Sequence, residues 1–202
     1  MGSEILEVLL LMDKEGAEVQ LILQCSPVLS GLKISNLLIV KENICLTAVG
    51  LLRTLGVSFY MLRQTADHTV FLVYRGRALA DYLQSARVER LLVQCGYVSG
   101  RLGESLPKIA SRYVGYMDKN NEFPHEMGLF LGYPVDDVEV FLKNCGHNYL
   151  YAGYWKVYSQ VEEKKILFSR YNAVIYWFLT VLAQGGNLGE CMQERRRAWQ
   201  KQ

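Results

Sequence analysis

Apolar and polar positions change period several times along the chain, and each change predicts an element. Residues 5–24 carry a helical pattern that Gly16 interrupts, and Pro27 is expected to stop or kink the chain that follows. Residues 33–40 (KISNLLIV) end in a continuous apolar run and predict a strand. Asn43 stands where it can cap a helix that carries Ala48, Val49, Leu52 and Leu55 on one side and stops at Gly56. Residues 58–64 (SFYMLRQ) and 69–75 (TVFLVYR) flank the polar loop Thr65-Ala66-Asp67-His68 and predict a β-hairpin. Helices follow over 85–95, closed by Gly96, and from near Ser105, with Pro107 in the first turn.

Residues 122–159 hold the densest signals. Residues 127–133 (MGLFLGY) predict a strand, and Pro134 opens a helix with Asp136 and Asp137 at its positive end. Residues 149–158 (YLYAGYWKVY) predict a long aromatic strand. Trp155 shares one face with Tyr149, Tyr151, Gly153 and Val157; Lys156 shares the other with Leu150, Ala152, Tyr154 and Tyr158. Both faces are largely apolar, which predicts a central strand covered on both sides. Residues 159–162 (SQVE) match a capping box before a long helix ending at Gly185-Gly186, and Asn187 with Glu190 repeats the device for a final basic helix. The expectation is one α+β domain with a mixed sheet of about five strands and helices on its faces. Helical crossovers predict parallel neighbours and the hairpin an antiparallel pair. Strand order is open, and residues 187–202 are a candidate peripheral appendage.

Composition narrows the function classes. The chain has 202 residues, half of them apolar, enough to bury a core without metal or disulfide staples. A net charge of +2 is too small for a nucleic-acid footprint, and the local basicity sits in Arg195, Arg196 and Arg197. The five cysteines are odd in number and widely spaced, with no CxxC, so neither a disulfide framework nor a zinc site is expected. Glu4 and Glu7 interrupt the apolar N-terminus, unlike a secretory signal, and the run 173–183 is too short to span a bilayer. A reduced, cytoplasmic protein with no nucleic-acid or membrane partner is expected.

Two separated strings carry a resemblance. CSPVLSGLKISNLL near the N-terminus, and PHEMGLFLGYPVDDVEVFLKNCG followed by YLYAGYWKVYS, resemble the bacterial family catalogued as domain of unknown function 3793. Cys25, Pro27, Leu29, Gly31, Lys33 and Asn36 fall on the first pattern, and the LVYR hairpin end, Phe168 and Tyr171 also fit. Ile34 and Ser35 replace a Pro-Ala pair of the pattern, Leu38 replaces Phe, and Gln24 stands where many members have His. The resemblance implies no reaction, substrate or cofactor, so candidates rest on chemistry alone.

Cys25 begins a short turn where a thiol can be activated; His125 and Glu126 are a candidate base and orienting carboxylate for it. Burial in the core is the competing reading of Cys25. Lys33, Trp155, Lys156 and Tyr158 are candidate ligand-binding residues, because Lys156 on an apolar face needs a partner, either an acidic side chain or an anionic ligand. Arg75 and Arg77 near a strand end are further cations for such a site. Gly128 and Gly132 lack the dinucleotide-binding spacing, and no metal constellation appears with only three histidines. Three functions remain. The first is binding of a small anionic or planar ligand. The second is cysteine-dependent catalysis by Cys25 with His125. The third is protein interaction through the basic helix around Trp199.

Overall fold

The structure, a computed structural model, describes residues 3–10, 12–120 and 122–199. Two short helices, α1 (Ser3–Leu9) and α2 (Ala17–Leu29), lead into strand β1 (Ser35–Lys41) and helix α3 (Glu42–Thr54). The expected hairpin follows as β2 (Ser58–Gln64) and β3 (His68–Tyr74). Then come α4 (Gly76–Leu83), α5 (Ala86–Gln94), α6 (Leu102–Met117), α7 (Met127–Phe130) and α8 (Val135–Lys143). A two-residue hairpin, β4 (Tyr151–Ala152) and β5 (Lys156–Val157), precedes α9 (Val161–Ala183) and α10 (Leu188–Trp199). Pro27 lies inside α2, which runs two residues past it.

The α+β class holds, but the five-stranded mixed sheet does not form. Among the described residues there is one three-stranded sheet, in the order β1-β3-β2, and the separate β4-β5 pair. Every pairing is antiparallel, so the expected parallel neighbours are absent from these sheets. The central strand is β3, not 149–158. Its near-continuous run TVFLVY is buried on both faces. Phe71 and Val73 enter one core with α2, α3 and α9, whereas Val70 and Leu72 enter a second with α4 to α8. Strand alternation thus sends successive side chains of one strand into two different cores.

Two segments expected as strands fold otherwise. Residues 127–133 form α7 and its exit turn. Tyr133 N–H donates to Gly128 C=O and Gly132 N–H to Leu129 C=O, both at 3.0 Å, a Schellman closure with Gly132 at φ 67°. A short apolar run has no period that separates buried helix from buried strand. Residues 149–158 fold back on themselves at Gly153. A Cβ there would lie 2.3 Å from the Phe168 ring, so the turn exists only because this position is glycine. The capping box at 159–162 does not close either: α9 is preceded by Gln160 in the left-handed region, without a side-chain cap bond. The second box does close, with Asn187 Oδ1 accepting from Glu190 N–H at 3.0 Å.

The open edge of β1 is guarded by a side chain. The Gln24 carboxamide accepts from Ile39 N–H at 2.8 Å and donates to Ile39 C=O at 3.0 Å, as a neighbouring strand would. By length and composition α9 could cross a membrane, with mean hydropathy 1.4 over its most apolar window. Phe168, Tyr171, Val174, Ile175, Phe178 and Leu179 of that helix are nevertheless buried within the fold, and α1 and α2 pack on it. Leu188 and Cys191 of α10 are buried in the first core. The side chains of Arg195, Arg196, Arg197 and Trp199, on which the protein-interaction reading rests, lie outside the described residues.

Candidate functional site

The sequence-predicted residues separate into distinct neighbourhoods. Cys25 faces inward from the last turns of α2 and is fully buried. The chain then turns at Gly31, and Lys33 N–H donates to Pro27 C=O at 2.8 Å, which directs the lysine back under the fold. Lys33 is itself only 4% exposed. Its ammonium donates to Asn36 Oδ1 and sits 5.1 Å from the Tyr133 ring centroid. Burial pushes the Cys25 thiol up to about 12, only partly opposed by the Lys33 charge, and pulls Lys33 down to about 8. At neutral pH the pair is therefore a protonated thiol beside a buried cation.

This pair makes stability depend on pH. Lys33 has a depressed folded pKa, so between about pH 8 and 10.5 the unfolded chain holds a proton that the folded chain has released. Stability contributed by Lys33 rises with pH across that window, by at most about 1.4 kcal/mol per unit. Cys25 acts oppositely, because its folded thiol keeps its proton up to about 12. Lys33→Met should remove the rising component alone. Urea unfolding at pH 8, 9 and 10 should show wild type gaining on this variant by about 1 kcal/mol per unit. A constant difference would mean that burial does not depress the folded-state pKa of Lys33.

Trp155 and Tyr158 are joined through Asp137 of α8, a residue whose expected role was only to favour the helix dipole. Asp137 is buried, its Oδ2 accepting from Trp155 Nε1–H at 2.7 Å and its Oδ1 from Tyr158 N–H at 2.9 Å. The Trp155 ring stacks on Tyr133 at 5.0 Å and meets Phe168 edge-on at 4.6 Å. Trp155 is thus a core residue holding the β4-β5 hairpin to α8. The Tyr158 hydroxyl is buried without a hydrogen-bond partner. Desolvation first, then Asp137 and Tyr149, raise its pKa.

Lys156 points away from Trp155, as strand alternation requires, and is exposed. The expected acidic partner is not what it meets: its ammonium donates to Gly146 C=O at 2.9 Å and lies over the rings of Tyr149 (5.0 Å) and Phe141 (5.7 Å). Arg75 donates to Gly31 C=O, and Arg77 pairs with Asp81 across exposed surface.

His125 and Glu126 border the second core, on the other face of the sheet from the core that holds Cys25. His125 stands between Phe123 (5.6 Å) and Phe141 (5.2 Å). Its Nδ1 is buried without a hydrogen-bond partner. Glu126 does not orient it. That carboxylate is 2% exposed and receives Arg112 Nε–H at 2.7 Å and the Tyr97 hydroxyl at 3.1 Å. Arg112 also donates to Cys95 C=O at 3.0 Å. Around these groups opens a cleft of about 440 Å³, lined by Cys95, Arg112, Glu122, Phe123, His125, Glu126 and Leu142. Sequence reasoning did not single out Arg112 or Tyr97, and it gave Asp137 only a role at the helix dipole. A buried Glu126 implies a cation beside it, yet spacing alone does not say which one.

Fold and site together define an α+β protein with two cores on one small antiparallel sheet and a cleft beside the second core. The family model described as "Protein of unknown function (DUF3793)" matches residues 21–192, and the chain belongs to that family. Comparison with curated proteins and with solved structures returned no match.

Proposed function

We propose that this chain binds a small planar ligand in the cleft beside His125 and Arg112. The observation that carries the reading is the His125 side chain, which lines the cleft and whose Nδ1 is buried without a hydrogen-bond partner. An orphaned buried nitrogen costs roughly 1–3 kcal/mol, which a bound ligand's polar edge would recover. The cleft volume of about 440 Å³ lies within the range of small-molecule sites. Phe123 and Leu142 in the lining supply apolar surface for a flat ring. Formal charge selects further. Arg112 is already engaged by Glu126, and Glu122 adds a second carboxylate to the lining. The cleft proper therefore favours a neutral polar ring over an anion.

Titration with phenylnaphthylamine, a neutral flat fluorophore, tests the reading. His125→Leu should weaken its binding about tenfold, equivalent to about 1.4 kcal/mol. Urea unfolding of the variant checks that the fold is intact. Equal affinity in a folded His125→Leu variant would overturn the assignment.

A further inference from the structure

We infer that the ligand of this cleft carries an anionic group, and that Lys156 receives it outside the cleft proper. This rests on the planar-ligand reading and adds the ligand's charge and its direction. Phe141 is the link. Its ring centroid is 5.2 Å from the His125 ring and 5.7 Å from the Lys156 ammonium. The two legs meet at that centroid, so ammonium and imidazole stand within about 11 Å of each other.

Lys156 is equipped for an anion. Of the three N–H donors on its ammonium, Gly146 C=O takes one. Among the described residues no carboxylate pairs with it, whereas Arg63 and Lys165 each pair with one and Arg87 with two. The rings of Tyr149 and Phe141 lie beside the cation and hold it in place.

The turn that presents it is built at a conformational cost. Cys145 (φ 48°), Gly146 (φ 76°) and Asn148 (φ 60°) all adopt the left-handed region within four residues. A Cβ at Gly146 would lie 3.0 Å from the Phe141 ring and 3.4 Å from the Lys156 ammonium. Glycine there lets ring and cation close on the same carbonyl. The carboxylates of Glu122 and Glu126 in the cleft lining would repel an anion, which favours a charged group near Lys156 with the ring beside His125.

The test compares anilinonaphthalene sulfonate with phenylnaphthylamine, the same ring system without the sulfonate, by fluorescence titration of the full chain. Wild type should bind the sulfonate roughly fivefold more tightly, the contribution of one half-exposed ion pair. Lys156→Gln should abolish that preference, bringing the ratio of the two affinities to about one. The preference should also shrink as salt is raised. Equal binding of the two probes by wild type, or a preference that survives Lys156→Gln, would overturn the inference yet leave the cleft reading standing. Phenylnaphthylamine binding indifferent to His125→Leu would instead remove the cleft reading. If neither probe binds, both are overturned.

Discussion

Asp137→Ala is expected to destabilise the fold by roughly 3–5 kcal/mol. The carboxylate is 2% exposed and accepts from two donors, Trp155 Nε1–H and Tyr158 N–H. Alanine would leave both donors without that acceptor, and each lost bond to a charged acceptor is worth roughly 1.5–3 kcal/mol. The dipole interaction at the start of α8 is a smaller loss, about 0.3–1 kcal/mol. Asp137→Asn keeps the shape but can present only one carbonyl oxygen, with its amide facing the second donor, so about half the loss should remain. Urea midpoints at pH 7 with an unchanged slope would report these differences. A loss below about 1 kcal/mol for the alanine variant would show that Asp137 does not hold the hairpin to α8.

Arg112→Leu is expected to cost roughly 3 kcal/mol, because it leaves the Glu126 carboxylate buried with the Tyr97 hydroxyl as its remaining partner. The low end of the range for breaking buried pairs applies, since the Arg112 side chain is 42% exposed and part of its charge is already solvated. Adding Glu126→Gln to Arg112→Leu should restore a substantial part of the loss. The amide oxygen still accepts from Tyr97, and no uncompensated charge remains. Denaturant unfolding of the two single variants and the double variant gives the coupling energy directly. Additive losses would mean that the ion pair contributes nothing of its own.

Much of the chain's local structure was legible in its sequence. The hairpin over 58–75 appears because two β-rich runs flank a short polar loop, and this information is local. The box of Asn187 with Glu190 closes for the same reason. The string 127–133 was misread because five apolar residues and two glycines fit a buried strand as well as a buried helical turn. Only the Schellman closure at Gly132, seated where a Cβ would fall 2.8 Å from Ile34 Cβ, selects the turn. The string 149–158 looked like a central strand because both its faces are apolar. In the fold a hairpin buries Trp155 against α8 and α9 and leaves Tyr149 exposed, with no flanking sheet strands over either face among the described residues.

For the candidate residues, composition established that Lys33 and Lys156 need partners, since a cation beside apolar surface must be satisfied. It could not say that one finds an amide and an aromatic ring in the interior while the other finds a carbonyl and two rings at the surface. Nor could it place Cys25 and His125 on opposite faces of the sheet, or bring Arg112 from α6 onto Glu126. Helix periodicity, caps and turn chemistry act over a few residues, so the sequence determined the elements of the first half and the family resemblance of the whole. Partners for buried charges come from segments far apart in the chain. Their choice depends on how the helices pack around β3, and only the tertiary structure decided it.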